Sequence, residues 1–179
     1  MEEFYNSAAW KEFSRRNGGH PGGLGATREL IEAASLVPGA RILDLCCGGG
    51  ESVALLAELG YEAFGLAGAE ELSGIAPQSF DAVMCECSIS LLDSGAALLE
   101  LDRILKPRGA LLLSDVYDGT PPVFLGFSEI YFKDKRRELI DYAAQWLWET
   151  GESFPLCADV KTVSYYHWVG LKGDTYGGL

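Results

Sequence analysis

The sequence predicts an α/β protein: an open, mostly parallel sheet with helices on both faces. Three features of the 179 residues carry that reading. Ile42, Leu43 and Leu45 form a short apolar run suited to a buried parallel strand. Gly48, Gly49 and Gly50 follow it, and from Val53 Leu and Ala recur at helical spacing as far as Gly60. Further short apolar runs lie at 61–66, 80–84 and 110–115, with Ala97, Leu98, Leu101, Ile104 and Leu105 sharing a helical face between the last two. Strand, glycine turn and helix in that order begin such a sheet.

From the N-terminus, Phe4, Tyr5, Ala8, Ala9, Trp10 and Phe13 recur at helical spacing within Met1 to Arg16 and predict a short helix packed on the domain. Residues 17–25 are dominated by glycine and proline and read as a loop. Thr27 to Leu36 is a helix with Leu30, Ile31, Ala33, Ala34 and Leu36 on one side, Thr27 as its cap and Pro38–Gly39 ending it. After the glycine turn come strands at Tyr61–Leu66 and Phe80–Met84, then the Ala97 helix, which Lys106–Pro107–Arg108–Gly109 breaks before a strand over Ala110–Asp115. Thr120–Pro121–Pro122 is a turn, Gly126–Phe132 alternates as a strand, Arg136–Thr150 is an amphipathic helix, and Val163–Leu171 is a closing aromatic strand. Trp146 and Trp148 on that helix read as core or interface residues.

Length and an apolar content of 48% suit one domain over 1–179. Its parts are N-terminal helices and the Gly/Pro loop over 1–39, a core over 40–117 and a strand–helix–strand end over 118–179. The net charge of −12 excludes a broad nucleic-acid or anionic-membrane surface, since phosphates are held by Lys/Arg clusters. No cationic, apolar leader opens the chain and no apolar run approaches the roughly 20 residues of a membrane span. A cytoplasmic protein with reduced thiols is the expectation, the five cysteines being an odd number.

The glycine turn lets a ligand approach the main chain, and the helix after Gly50 begins with unpaired amides. A phosphate loop needs a lysine that is absent after Gly50, and in a dinucleotide fingerprint the third glycine falls on Val53. An acidic residue ending the strand, then x-x-x-Gly-x-Gly, resembles motif I of the class I S-adenosylmethionine-dependent methyltransferases, in the small-molecule, methyltransferase type 11-like branch. The matching positions are Asp44, Gly48 and Gly50, with Cys46 in place of the family's usual first glycine. A helix, Leu-Lys-Pro-Arg-Gly over 105–109 and a strand add a second match. The resemblance implies a Rossmann-like methyltransferase sheet and S-adenosylmethionine as cofactor, with S-adenosylhomocysteine as product. It also implies cofactor contacts from Asp44, Cys46, Cys47, Gly48, Gly49 and Gly50, from Ala67 after the second strand, and from Cys85 and Glu86 after the strand at Phe80.

Two departures stand against the family pattern. Ala67 occupies the position where a carboxylate would receive the ribose hydroxyls, with Glu70 or Glu71 as substitutes from the next turn. Between Leu66 and Phe80 there is no room for a helix and a further strand, so one edge strand and its helix are missing from the sheet. In similar small-molecule methyltransferases the N-terminal helix is a lid and a Pro-Gly-Gly stretch lies at the pocket mouth. His20 is then a candidate for substrate contact or proton transfer, against the plainer expectation of a surface histidine. Glu86 and Tyr117 are catalytic candidates by location.

Cys46, Cys47, Cys85 and Cys87 fall near the crevice where strand order switches. They read as small buried hydrophobes rather than as a thiophilic site, and no metal is expected, because Cys-Cys and Cys-x-Cys are not zinc spacings. The leading expectation is methyl transfer to a small molecule. Its alternative is a degenerate, methyltransferase-like accessory or oligomerising protein, in which a second subunit covers the sheet exposed by the lost strand and a homodimer results. A nicotinamide-dependent oxidoreductase is a third reading.

Overall fold

In a computed structural model of the chain, the described residues are 4, 7–92, 94–155 and 163–173; Tyr5 of the predicted first helix lies outside them. Their elements in order are α1 (Ala8–Asn17), α2 (Gly23–Ala34), β1 (Arg41–Leu45), α3 (Glu51–Glu58), β2 (Glu62–Leu66), β3 (Phe80–Glu86), α4 (Ser94–Ile104), β4 (Leu105–Asp118), β5 (Phe127–Asp134), α5 (Arg136–Thr150) and β6 (Val163–Lys172). One sheet takes the order β2-β1-β3-β4-β6-β5. The first three pairings are parallel and the last two antiparallel. Only a 3-10 turn, Ala69–Gly74, links β2 to β3, so β2 is a sheet edge, as the short spacing predicts. From β1 the chain goes to β2 on one side and then crosses from β2 to β3 on the other side of β1. That switch is where an open sheet leaves a crevice beyond its carboxyl ends.

Alternation along the strands divides the core into two layers. Ile42, Ala82, Met84, Leu112 and Val169 face α2 and α3, meeting Leu30, Ile31 and Leu56. Leu43, Leu45, Val83, Leu111, Leu113 and Trp168 face the other way, where Leu101 and Ile104 of α4 and the ring of Phe124 cover them. A third cluster joins α1 to α5 through Trp10, Phe13, Tyr142, Trp146 and Phe154, and reaches β6 at Tyr165. The sheet with helices on both faces is therefore as predicted, and Trp146 is core.

Several boundaries differ. α2 begins at Gly23, capped by Gly22 in a left-handed conformation (φ 82°), so three residues read as loop are helical. Thr27 is a buried residue inside that helix and not its cap. β3 runs on to Glu86 and β4 spans 105–118, its register shifting between Phe80 and Ala82 to absorb the Lys106–Gly109 bulge. Asp81 fixes that corner, accepting from Lys106 Nζ at 2.7 Å and from the Arg41 amide at 2.9 Å.

Candidate functional site

The crevice is built by β1 and the turn after it. Cys46 follows the strand with φ 61°, a left-handed angle that disfavours a side chain, which is the physical reason a glycine suits this position. Cys47 ties the turn to the edge strand through its amide and the Leu66 carbonyl at 3.0 Å, and the Gly50 amide closes on the Cys47 carbonyl at 2.8 Å. The tie needs a glycine opposite: a Cβ on Gly65 would stand 2.8 Å from Cys47 Sγ. Gly48 and Gly50 have φ of 53° and 84°, and a Cβ on either would meet no atom within 4 Å. The main chain there borders open space, and α3 starts from Gly50 with no side-chain cap.

Two carboxylates lie beneath the turn on the α2/α3 face. Asp44, 4% exposed, is raised to about 8 by burial first and then by the negative charges of Glu86 and Glu51. Glu86, at the end of β3, accepts from Thr27 Oγ1 at 2.9 Å and Ser52 Oγ at 3.3 Å. His20 Nε2 stands 3.4 Å from the same oxygen, while Glu86 Oε1 is buried with no hydrogen-bond partner. A buried carboxylate pushed above neutrality beside a second one with an open acceptor is a site short of a cation. Glu51, exposed in the first turn of α3, folds its carboxylate back against Gly49.

The expected site residues distribute as follows. Asp44, Cys46, Cys47, Gly48, Gly49 and Gly50 line the turn, with Glu86 beneath it. His20 is not on the surface. It is 7% exposed, because the Gly/Pro loop folds inward, and its second nitrogen lies 3.4 Å from the Pro21 carbonyl. With both ring nitrogens turned to the protein, His20 holds Glu86. Ala67 is exposed at the end of β2, and Glu70 comes back close enough to raise the Cys46 thiol behind the effects of burial and Asp44. Tyr117 stands apart, its hydroxyl donating to Asp134 and its ring against Phe132 and Tyr166. Cys85 is buried with its Sγ 2.9 Å from Ser88 Oγ, and Cys87 lies 3.3 Å from the Tyr165 hydroxyl. Burial raises all four thiols and keeps them protonated. Among the described residues no group of three or more His, Cys, Asp and Glu is placed to hold a metal ion.

Thr27 and Ser52, the hydroxyls on Glu86, are functional candidates that the sequence reading missed; no local pattern marks them. Beside His20 a narrow cleft lined by Trp10, Pro21, Cys87, Val116, Tyr142 and Tyr165 separates α1 and α5 from the ends of β3 and β4. α1 borders that cleft and packs on α5.

Comparison with known proteins gives a consistent picture. A family described as "Methyltransferase domain" matches residues 64–113, from β2 into β4. YqeM of Bacillus subtilis, named as a methyltransferase, is 28% identical over 171 residues, covering 80% of this chain and 66% of that protein. The uncharacterized methyltransferase sll0829 of Synechocystis is 30% identical over 129 residues, 55% of this chain and 61% of that one. The chain spans about two thirds or less of the curated relatives it matches. Among solved structures, phosphoethanolamine N-methyltransferase 2 of Haemonchus contortus in complex with S-adenosyl-L-methionine superposes with a TM-score of 0.69 at 14% identity, over 96% of this chain and 60% of that one. A methyltransferase of Geobacter sulfurreducens in complex with S-adenosyl-L-homocysteine gives 0.64 at 13% identity, over 93% and 98%. At such identities the likeness is one of fold.

Proposed function

We propose that this chain, which resembles the class I S-adenosylmethionine-dependent methyltransferases, binds S-adenosylmethionine over the Gly48–Gly50 turn and transfers its methyl group to a small molecule. The observation that carries this reading is the Asp44–Glu86 pair, buried beside an open glycine turn, with Glu86 Oε1 still without a donor. The cofactor's amino-acid end brings an ammonium group, which answers both carboxylates, and its carboxylate suits the uncapped first turn of α3. The residues present therefore fit that end of the cofactor. At the ribose end Glu70 stands in for the missing strand-end acid. When bound, the cofactor supplies an electrophilic methyl on a sulfonium.

This chain's residues act chiefly by positioning. Asp44 and Glu86 hold the donor, and His20, Thr27 and Ser52 hold Glu86. His20 is a positioning residue in this account, and Tyr117 has no role in it. A cytoplasmic protein of one domain suits the reading, and among the described residues no helix is long and apolar enough to cross a membrane.

Calorimetry with S-adenosylmethionine and S-adenosylhomocysteine tests it. Saturable micromolar binding that Asp44→Asn weakens is the expected result; no binding by the wild type would overturn the reading. A second reading, a non-catalytic accessory protein, draws its support from Ala67 and from the short 3-10 link between β2 and β3. Absent cofactor binding would leave that one standing.

A further inference from the structure

α5 is apolar on two sides. Leu139, Tyr142 and Trp146 turn inward and are buried. On the outer side Ile140, Ala144, Leu147 and Trp148 follow one another at i, i+4, i+7 and i+8, the spacing of a helical stripe. Ile140 is 45%, Leu147 52% and Trp148 87% exposed. A scattered surface leucine needs no explanation, but an aligned stripe ending in a tryptophan does.

The charges along α5 run in the order its own dipole disfavours. Arg136 and Arg137 open the helix, where the only acidic residue of the first turn, Glu138, is taken up by Lys135 at 2.8 Å. The last turn holds no basic residue; Glu149 there is held by Arg16 of α1 at 3.0 Å, and the exposed Glu152 closes that end. A helix gains from acids at its start and bases at its end. The reversed order suits a helix lying beside an antiparallel copy of itself, where each end meets the opposite charge and the opposite dipole.

We propose that α5 pairs antiparallel with α5 of a second copy of this chain, about a two-fold axis passing close to Ala144. Three features of the stripe meet that geometry. Ala144 at the centre is small enough for the axes to approach to about 8–10 Å. Ile140 of each copy faces Trp148 of the other, putting the largest side chain of the stripe into an apolar contact rather than water. Arg137, exposed and in a loose pair with Asp141 at 4.0 Å, comes opposite Glu152 of the other copy. The chain's net charge of −12 would push copies apart, and matching basic against acidic ends is what lets this face approach. Since Leu139 and Tyr142 on the inner side of α5 line the aromatic cleft, pairing would brace that cleft from behind.

The experiment follows the mass of the full chain by sedimentation equilibrium from low to high micromolar concentration, for the wild type and for Trp148→Glu. The wild type forms a dimer and Trp148→Glu raises its dissociation constant about thirtyfold or more, with an unchanged circular-dichroism spectrum. Orientation is read by mild oxidation of Ala144→Cys, which links two copies far faster than Leu99→Cys on α4 or the wild type with its own cysteines. A wild type that stays monomeric throughout overturns the proposal. So does a dimer that Trp148→Glu leaves intact, or equal linking at 144 and 99.

Discussion

Two carboxylates on opposite halves of the sheet, Asp44 and Glu29, are treated in opposite ways. In the parallel half Asp44 is raised to about 8, by burial and by two like charges. In the antiparallel half burial would also raise Glu29 of α2, but hydrogen bonds from Lys135, Tyr131 and Lys133 bring it down to about 2. Lys135 Nζ lies 2.6 Å from Glu29 and 2.8 Å from Glu138, and His167 of β6 stands 3.6 Å from Glu29. Acid and base are matched there, fastening α2 to β5, β6 and α5. Beneath the glycine turn, 15 to 57 residues further along the chain, Asp44 and Glu86 are gathered with only the imidazole of His20 beside them among the described residues, and no lysine or arginine bonds to either. On the proposed reading the difference separates stability from binding: a carboxylate with its cation holds the fold, and one without is open to a ligand that brings it.

The sharpest way to break this contrast is Asp44→Asn, which keeps the shape and removes the charge. Loss of a charge-assisted hydrogen bond worth about 1.5–3 kcal/mol weakens S-adenosylmethionine binding roughly ten- to a hundredfold, read by calorimetry. Folding stability at pH 8 rises in the same variant, which loss of a merely structural contact would not bring about. Unchanged affinity would show that Asp44 does not face the donor.

In the other half the corresponding change is Lys135→Met. Glu29 and Glu138 lose their shared cation in a partly buried setting, and removing one member of a buried pair typically costs 3–5 kcal/mol. With Glu29 partly open to water, about 2 kcal/mol is expected in urea unfolding, with cofactor affinity unaltered. A cofactor affinity that fell with the stability would dissolve the division between the halves.

The pH dependence of stability sharpens the comparison with both groups in place. Glu29 is held below its ordinary 4.5, so its contribution is present above that pH and is lost as pH falls towards 2. Asp44, raised from 3.8 to about 8, keeps a proton that the unfolded chain has released, so stability declines as pH rises from about 4 to 8. His167 is lowered from 6.5 to about 4, by burial first and then by Lys135, with Glu29, Glu138 and His20 as the other charges acting on it. The unfolded chain takes up a proton that the folded one refuses, so stability declines as pH falls from 6.5 to 4. Between 4 and 6.5 the slopes of Asp44 and His167 oppose; above 6.5 that of Asp44 remains, and burial of Asp115, which is also raised, adds in the same direction as Asp44. Urea midpoints should be nearly level from pH 4 to 6.5 and then fall by up to about 2 kcal/mol by pH 8, at roughly 1.4 kcal/mol per unit. Asp44→Asn removes the Asp44 share of the fall, and His167→Gln turns the level stretch into a decline. A profile still rising at pH 8 would contradict the account of Asp44.

How much of this could be read from the chain alone depends on distance along it. Strand, turn and helix over 41–58 declare themselves locally, through an apolar run, three glycines and a Leu/Ala repeat. The same holds for α5, where the predicted Arg136–Thr150 is the helix observed. The missing strand was legible as a length, because too few residues separate Leu66 from Phe80. What escaped was whatever depends on a loop or helix crossing the sheet. His20 is buried because residues 17–22 turn inward, and Thr27 meets a carboxylate 59 residues away. The bonds from Tyr131, Lys133 and Lys135 to Glu29 close over more than 100 residues. His167 is hidden inside an aromatic strand where periodicity shows only a buried position. Chemistry made by distant partners leaves no mark on local spacing.

The smallest expected effect separates the two ways of holding an acid most finely. Thr27→Val keeps the volume near Glu86 and removes one neutral hydroxyl donor at 2.9 Å, leaving Ser52 and His20 in place. A net hydrogen bond of this kind contributes about 0.5–1.5 kcal/mol, so a stability loss of about 1 kcal/mol is expected. The greater sign is in binding: with one fewer donor, Glu86 is less firmly placed, and affinity for S-adenosylmethionine should drop a few-fold while the same change in α2 leaves the Glu29 network untouched. If Thr27→Val instead costs as much as Lys135→Met, then hydroxyls hold Glu86 as tightly as a lysine holds Glu29. The parallel half would in that case be fastened for stability, and its carboxylates would not be waiting for a cation.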